Sequence, residues 1–122
     1  MSLKVLLVDD DPSILLSLDF LMKKAGYAVF IARDGAEALD IVQRERPDCL
    51  VLDIMMPEVD GYEVLRQVKE NEATRHAKVI MLSAKSREAD IQQAMALGAD
   101  HYITKPFATK KLLDDIRQLI NP

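Results

Sequence analysis

The chain has 122 residues, 49% of them hydrophobic and 30% charged, and carries a net charge of −4. That length suits a single domain spanning residues 1–122, able to bury about two thirds of its extended surface, and leaves no room for a second core. No apolar stretch approaches a membrane span or a secretion signal, so a cytoplasmic location is expected, and dispersed Lys and Arg residues give no footprint for direct nucleic-acid binding.

Apolar runs of four or five residues alternate with longer segments of helical period, five times over. The first run is Lys4 to Val8, followed by a helix with Asp11 as its cap and Pro12 in its first turn, ending near Gly26. Its expected inward stripe is Ile14, Leu18, Leu21 and Ala25. The second run, Ala28 to Ala32, leads to a helix from about Gly35 that buries Ala38, Leu39 and Val42 and stops before Pro47. The third, Cys49 to Leu52, precedes a helix after Asp60-Gly61 with Val64, Leu65 and Val68 turned inward. Cys49, the single cysteine, reads as a small buried hydrophobe and excludes an intrachain disulfide. Val79 to Leu82 is the fourth run, and the helix after it, Ser86 to Leu97, has a thin stripe of Ile91, Ala94 and Met95 before Gly98. His101 to Thr104 is the fifth, and the last helix carries a strong stripe of Leu112, Leu113, Ile116, Leu119 and Ile120.

Nearly continuous apolar strands suit a parallel sheet covered on both faces. A (βα)5 succession with right-handed crossovers predicts an α/β, doubly wound, flavodoxin-like sheet in the order 2-1-3-4-5. Its switch point lies between the first and third strands, and these are the strands followed by Asp9, Asp10 and Asp53. Taken singly, the first cluster reads as a helix cap and Asp53 as a loop acid; together they converge where such sheets place ligands. Three carboxylates that close repel one another unless a divalent cation lies between them. Ser83 after the fourth strand and Lys105-Pro106 after the fifth bring a hydroxyl and an ammonium to the same rim.

That set suits phosphoryl transfer to a carboxylate, with Asp53 as the nucleophile. Asp10 and Asp53 are expected to ligate Mg²⁺ directly and Asp9 through water, while Lys105 and Ser83 hold the phosphoryl oxygens. Three carboxylates, one Mg²⁺ and one lysine sum to zero charge, and an acyl phosphate brings the site to about −1. The expected role is a switch that catalyses only its own phosphorylation and dephosphorylation.

The segments Val8-Asp9-Asp10-Asp11, Leu52 to Pro57, Asp60-Gly61, Leu82-Ser83-Ala84 and Lys105-Pro106-Phe107 resemble, in order and spacing, the receiver domains of two-component response regulators. The resemblance runs from the first strand to the last helix. It implies that Asp53 accepts a phosphoryl group from a phosphohistidine on a sensor histidine kinase or histidine phosphotransfer protein. It also implies Mg²⁺ on Asp10, Asp53 and the Met55 carbonyl, a cis Lys105-Pro106 bond, and a switch in which Ser83 shifts while Tyr102 moves inward. Tyr102 otherwise reads as a half-buried strand aromatic. Met55 and Lys85, two places beyond Asp53 and Ser83, are expected to flank the attacking water and to slow dephosphorylation.

Two other enzyme or cofactor readings fit less well. A haloacid dehalogenase phosphatase needs a second aspartate two places after its nucleophile, where Met55 stands, and the Asp9/Asp11 pair is followed by Pro12-Ser13. A flavodoxin phosphate loop is opposed by adjacent carboxylates. A degenerate receiver that only binds partners is disfavoured by the intact acidic, hydroxyl and lysine set. His76 and His101 read as solvated or strand-edge residues without companion ligands. Leu16 and Phe20, four apart on the outer face of the first helix, are expected to be exposed and to offer a docking patch for the phosphodonor, the alternative being casual exposure. Nothing follows the last helix, so a stand-alone receiver acting by contact, monomeric or weakly dimeric, is expected, with its downstream target open.

Overall fold

The structure is a computed structural model that describes residues 2–56 and 58–121. Its elements run β1 (Lys4–Val8), α1 (Pro12–Lys24), β2 (Ala28–Ala32), α2 (Gly35–Glu45), β3 (Cys49–Leu52), α3 (Gly61–Glu70), β4 (Lys78–Ser83), α4 (Glu88–Ala96), β5 (His101–Thr104) and α5 (Thr109–Ile120). The five strands form one sheet in the order β2-β1-β3-β4-β5, and every pairing is parallel. The doubly wound order expected from the crossover rule is the order found.

The continuous apolar strands follow from this layering. Alternate residues of a strand point to opposite faces, and here both faces are covered. Val5, Leu7, Val51, Ile80 and Leu82 pack under α1 and α5, whereas Leu6, Val8, Leu50, Leu52, Val79 and Met81 pack under α2, α3 and α4. Cys49 lies in the first of these cores, fully buried, and burial pushes its thiol up to about 12.

Helix faces depart in part from the periodicity reading. In α1 the fully buried residues are Leu15, Leu18 and Met22, while Ile14, Leu21 and Ala25 flank them half-buried. The apolar side of this helix is wide, so period alone does not locate its centre. In α2, Ile41 is buried and Leu39 lies at the margin. Helix α4 begins two residues after Ser86, at Glu88, and keeps only Ala94 as a fully buried apolar anchor, with Ile91 half-buried and Met95 46% exposed. Its thin stripe is therefore narrower still. The stripe of α3 is as expected, and that of α5 is buried at Leu112, Leu113 and Ile116, with Leu119 and Ile120 at its edge.

Candidate functional site

Register determines where the acids meet. Val8 is level with Leu52 across the β1–β3 pair, and the ladder continues one step beyond both strands: the Asp53 N–H donates to the Val8 carbonyl at 2.9 Å. Asp9 and Asp53 thus leave the sheet side by side. One carboxylate oxygen from each of Asp9, Asp10 and Asp53 lies within 4.8 Å of the others. Asp9 and Asp53 are buried, whereas Asp10 opens to solvent.

The oxygens of this cluster differ in what already occupies them. Asp9 accepts the Asp11 N–H on Oδ1 at 2.9 Å and the Lys105 ammonium on Oδ2 at 3.0 Å. Asp53 accepts one long bond from the Met55 N–H at 3.4 Å and stands 3.8 Å from Lys105 Nζ. The Asp10 carboxylate has no hydrogen-bond or ion-pair partner among the described residues. Burial first, then the neighbouring Asp9 charge, pushes the Asp53 carboxyl up to about 6 against the pull of Lys105. Three carboxylates and one ammonium leave two negative charges in excess, and the free acceptor capacity sits on Asp10 and Asp53. That donor set fits a hard divalent cation held directly by those two, with Asp9 reaching it through water.

Local structure explains how each group is delivered. Asp11 caps α1 by accepting the Ser13 N–H at 2.9 Å, and Asp60 caps α3 by accepting that of Glu63 at 3.0 Å. Gly61 donates its N–H to the Ile54 carbonyl at 2.9 Å, and a Cβ there would overlap the Asp53 backbone. Only glycine lets α3 begin this close to the segment carrying Asp53. Ser83, fully buried at the end of β4, accepts the Lys85 N–H on its hydroxyl at 3.1 Å and the Lys105 N–H on its carbonyl at 2.8 Å. Lys105 enters through a cis bond to Pro106. Tyr102, half-buried, donates its hydroxyl to the Lys85 carbonyl at 2.7 Å.

The sequence-predicted residues thus fall into a central group and a rim. Asp9, Asp10, Asp53 and Lys105 meet, with Ser83 beside them. Met55, 59% exposed, and Lys85 stand at the rim and line a cleft of about 370 Å³ with Asp10, Ile54, Met56, Asp60 and Tyr62. Pro57, part of the segment after β3, lies outside the described residues. Leu16 and Phe20 are 72% and 70% exposed, and they line a separate groove with Ser17, Leu21 and Thr109. Two residues take roles that periodicity did not indicate. His101 is paired after all, its Nε2 standing 3.0 Å from the buried Asp115 of α5, a partner 14 positions away that no local pattern discloses. Tyr62 holds its ring 5.9 Å from the Lys85 ammonium and donates its hydroxyl to the Asp90 carbonyl at 3.2 Å. Its place directly after Asp60-Gly61 was the available signal.

The family described as the response regulator receiver domain matches residues 5–117. The chain belongs to that family. The receiver domain is also similar to solved structures. The chemotaxis protein CheY4 of Vibrio cholerae is 32% identical with a TM-score of 0.92, covering 98% of this chain and 100% of that one. A CheY-like receiver domain protein from Methanospirillum hungatei is 30% identical with a TM-score of 0.91, covering 97% and 93%. The receiver domain of a sensor histidine kinase from Pseudomonas aeruginosa, solved with a magnesium ion coordinated in its active-site cleft, is 27% identical with a TM-score of 0.89 and covers both chains fully, 100% each. Membership places this receiver domain in phosphorylation-dependent two-component signalling. No helix among the described residues is long and apolar enough to cross a membrane.

Proposed function

We propose that this receiver domain is a switch that takes a phosphoryl group onto Asp53 with Mg²⁺ bound, and that its change of shape is read by a partner protein. The observation that carries the reading is the placement of Asp53 between two further carboxylates and Lys105, 3.8 Å from the ammonium, at the ends of two adjacent strands. The donor is a phosphohistidine on a sensor histidine kinase or phosphotransfer protein. An Asp53 carboxylate oxygen forms the new P–O bond as the P–N bond to the imidazole breaks, and the electron pair leaves with the ring nitrogen. Mg²⁺, when bound, neutralises charge on the carboxylates and the incoming phosphoryl oxygens. Asp10, Asp53 and the Met55 carbonyl would hold it directly, and Asp9 through water.

Lys105 supplies the cation that a phosphoryl oxygen meets, and it already bridges Asp9 and Asp53. The Ser83 hydroxyl, released from the Lys85 N–H, would turn to a second phosphoryl oxygen. Because Lys85 links Ser83 through its N–H and Tyr102 through its carbonyl, that turn reaches the β4–α4 segment directly. The receiver domain acts in the cytoplasm, monomeric or weakly dimeric, and catalyses only its own phosphorylation and dephosphorylation. A small acyl-phosphate donor with Mg²⁺ is expected to label Asp53, and Asp53→Asn to abolish labelling. Label retained at an unchanged level in the variant would overturn the assignment.

A further inference from the structure

Lys85 is fastened at three points. Its N–H donates to Ser83, its carbonyl accepts from Tyr102, and its ammonium lies 5.9 Å from the centre of the Tyr62 ring. The backbone fastenings serve the switch; the third does not. The ammonium has no carboxylate partner among the described residues, yet its side chain lines the cleft that also exposes Asp10. A cleft with two negative charges in excess attracts a second ammonium as readily as it attracts a metal ion, and the flexible lysine stem allows such a move. Lys105 already occupies Asp9. If Lys85 joined it over Asp10, the acids would retain a single uncompensated charge, and a divalent cation would meet a cation in its place.

The Tyr62 ring is itself held firmly. It stands in the first turn of α3, directly after Gly61, whose N–H is bonded to Ile54, and its hydroxyl is bonded to the Asp90 carbonyl of α4 at 3.2 Å. The ring therefore keeps a constant relation to the segment carrying Asp53 and to α4. Its π face offers an ammonium a neutral resting place at the rim.

We propose that Tyr62 is a positioning residue that parks the Lys85 ammonium on its ring and so keeps Asp10 and Asp53 free for a divalent cation. The inference rests on the metal reading given above. A unit charge admitted to the rim of a site binding a divalent ion is expected to weaken that binding on the order of threefold to tenfold at surface screening.

Mg²⁺ is titrated into the full chain while the amide resonances of Asp10 and Asp53 are followed, in wild type, Tyr62→Leu, Tyr62→Phe, Lys85→Ala and the Tyr62→Leu, Lys85→Ala double variant. Tyr62→Leu should raise the Kd for Mg²⁺ about threefold to tenfold, and Tyr62→Phe, which keeps the ring but loses the bond to Asp90, should stay closer to wild type than Tyr62→Leu does. In the Lys85→Ala background the Leu substitution should have no effect. Equal affinity in wild type and Tyr62→Leu overturns the proposal, as does a Phe variant as weak as the Leu variant, or a Leu effect that persists without Lys85. If Tyr62→Leu loses its dispersed amide spectrum, Tyr62→Met replaces it under the same criteria. A wild-type protein that binds no Mg²⁺ overturns the metal reading itself and Tyr62's role with it.

Discussion

Asp53→Asn should stabilise the metal-free protein. The Asp53 carboxyl is pushed from an ordinary value of 3.8 to about 6, chiefly by burial and then by the Asp9 charge. The folded state therefore binds this proton more tightly than the unfolded chain does. Well below pH 3.8 both states are protonated and the group costs nothing; from about 3.8 to about 6 stability falls as pH rises, and above about 6 the full cost is present. The displacement from 3.8 to about 6 corresponds to at most about 3 kcal/mol, since the cluster opens to solvent at Asp10 and water screens part of the charge. Asparagine is nearly isosteric and can still accept the Met55 N–H through its carbonyl oxygen, while Lys105 keeps its pairing with Asp9. For a chain of this size about 3 kcal/mol corresponds to roughly a 10 °C rise in Tm. Urea unfolding of both proteins at pH 8 and pH 4, in chelator, provides the measurement. The gain should be large at pH 8 and several-fold smaller at pH 4, and saturating Mg²⁺ should narrow it at pH 8 by stabilising the wild type. No gain at pH 8, or an equal gain at both pH values, refutes the reasoning.

Lys105→Ala should still accept phosphoryl groups from a small donor but lose the phosphorylation-dependent changes at Ser83 and Tyr102, which amide and tyrosine ring resonances report. Met55→Asn with Lys85→Glu should shorten the lifetime of the acyl phosphate by about tenfold or more, since an amide and a carboxylate can orient and activate the attacking water; decay of the purified phosphorylated proteins at one pH decides this. Leu16→Ser with Phe20→Ser should slow transfer from a cognate phosphohistidine protein while leaving labelling by a small phosphodonor intact, because both side chains are exposed on α1 away from the carboxylates. Unchanged transfer rates would remove α1 from the docking surface.

Much of this molecule was legible before any tertiary structure. Strand composition alone implied a sheet buried on both faces, because Val5 to Val8 and Leu50 to Leu52 show no polar alternation, and the crossover rule then pointed to the doubly wound order that is found. Since ligands in such sheets gather at the switch point, Asp9, Asp10, Asp53, Ser83 and Lys105 could be named from their places just after strands. Local signals also located the cap at Asp11, whose side chain acts within two residues of itself. What depends on only a few neighbouring residues, or on a repeating period, is written in the order of the residues.

Tertiary packing decided the rest. The centre of the α1 stripe moved to Leu15 and Met22 because a wide apolar face can dock at several rotations, and only the sheet beneath and α5 beside it select one. Met95 turned outward because α4 rests on the sheet chiefly through Ala94. The difference between Asp9, already satisfied by Asp11 and Lys105, and Asp10, left open, arises from contacts up to 96 positions apart. His101 with Asp115, and Lys85 with Tyr62, are pairs of the same kind. Side chains that meet across two loops or two layers have no shared period and no fixed spacing, so their partnership exists only once the backbone has brought them together.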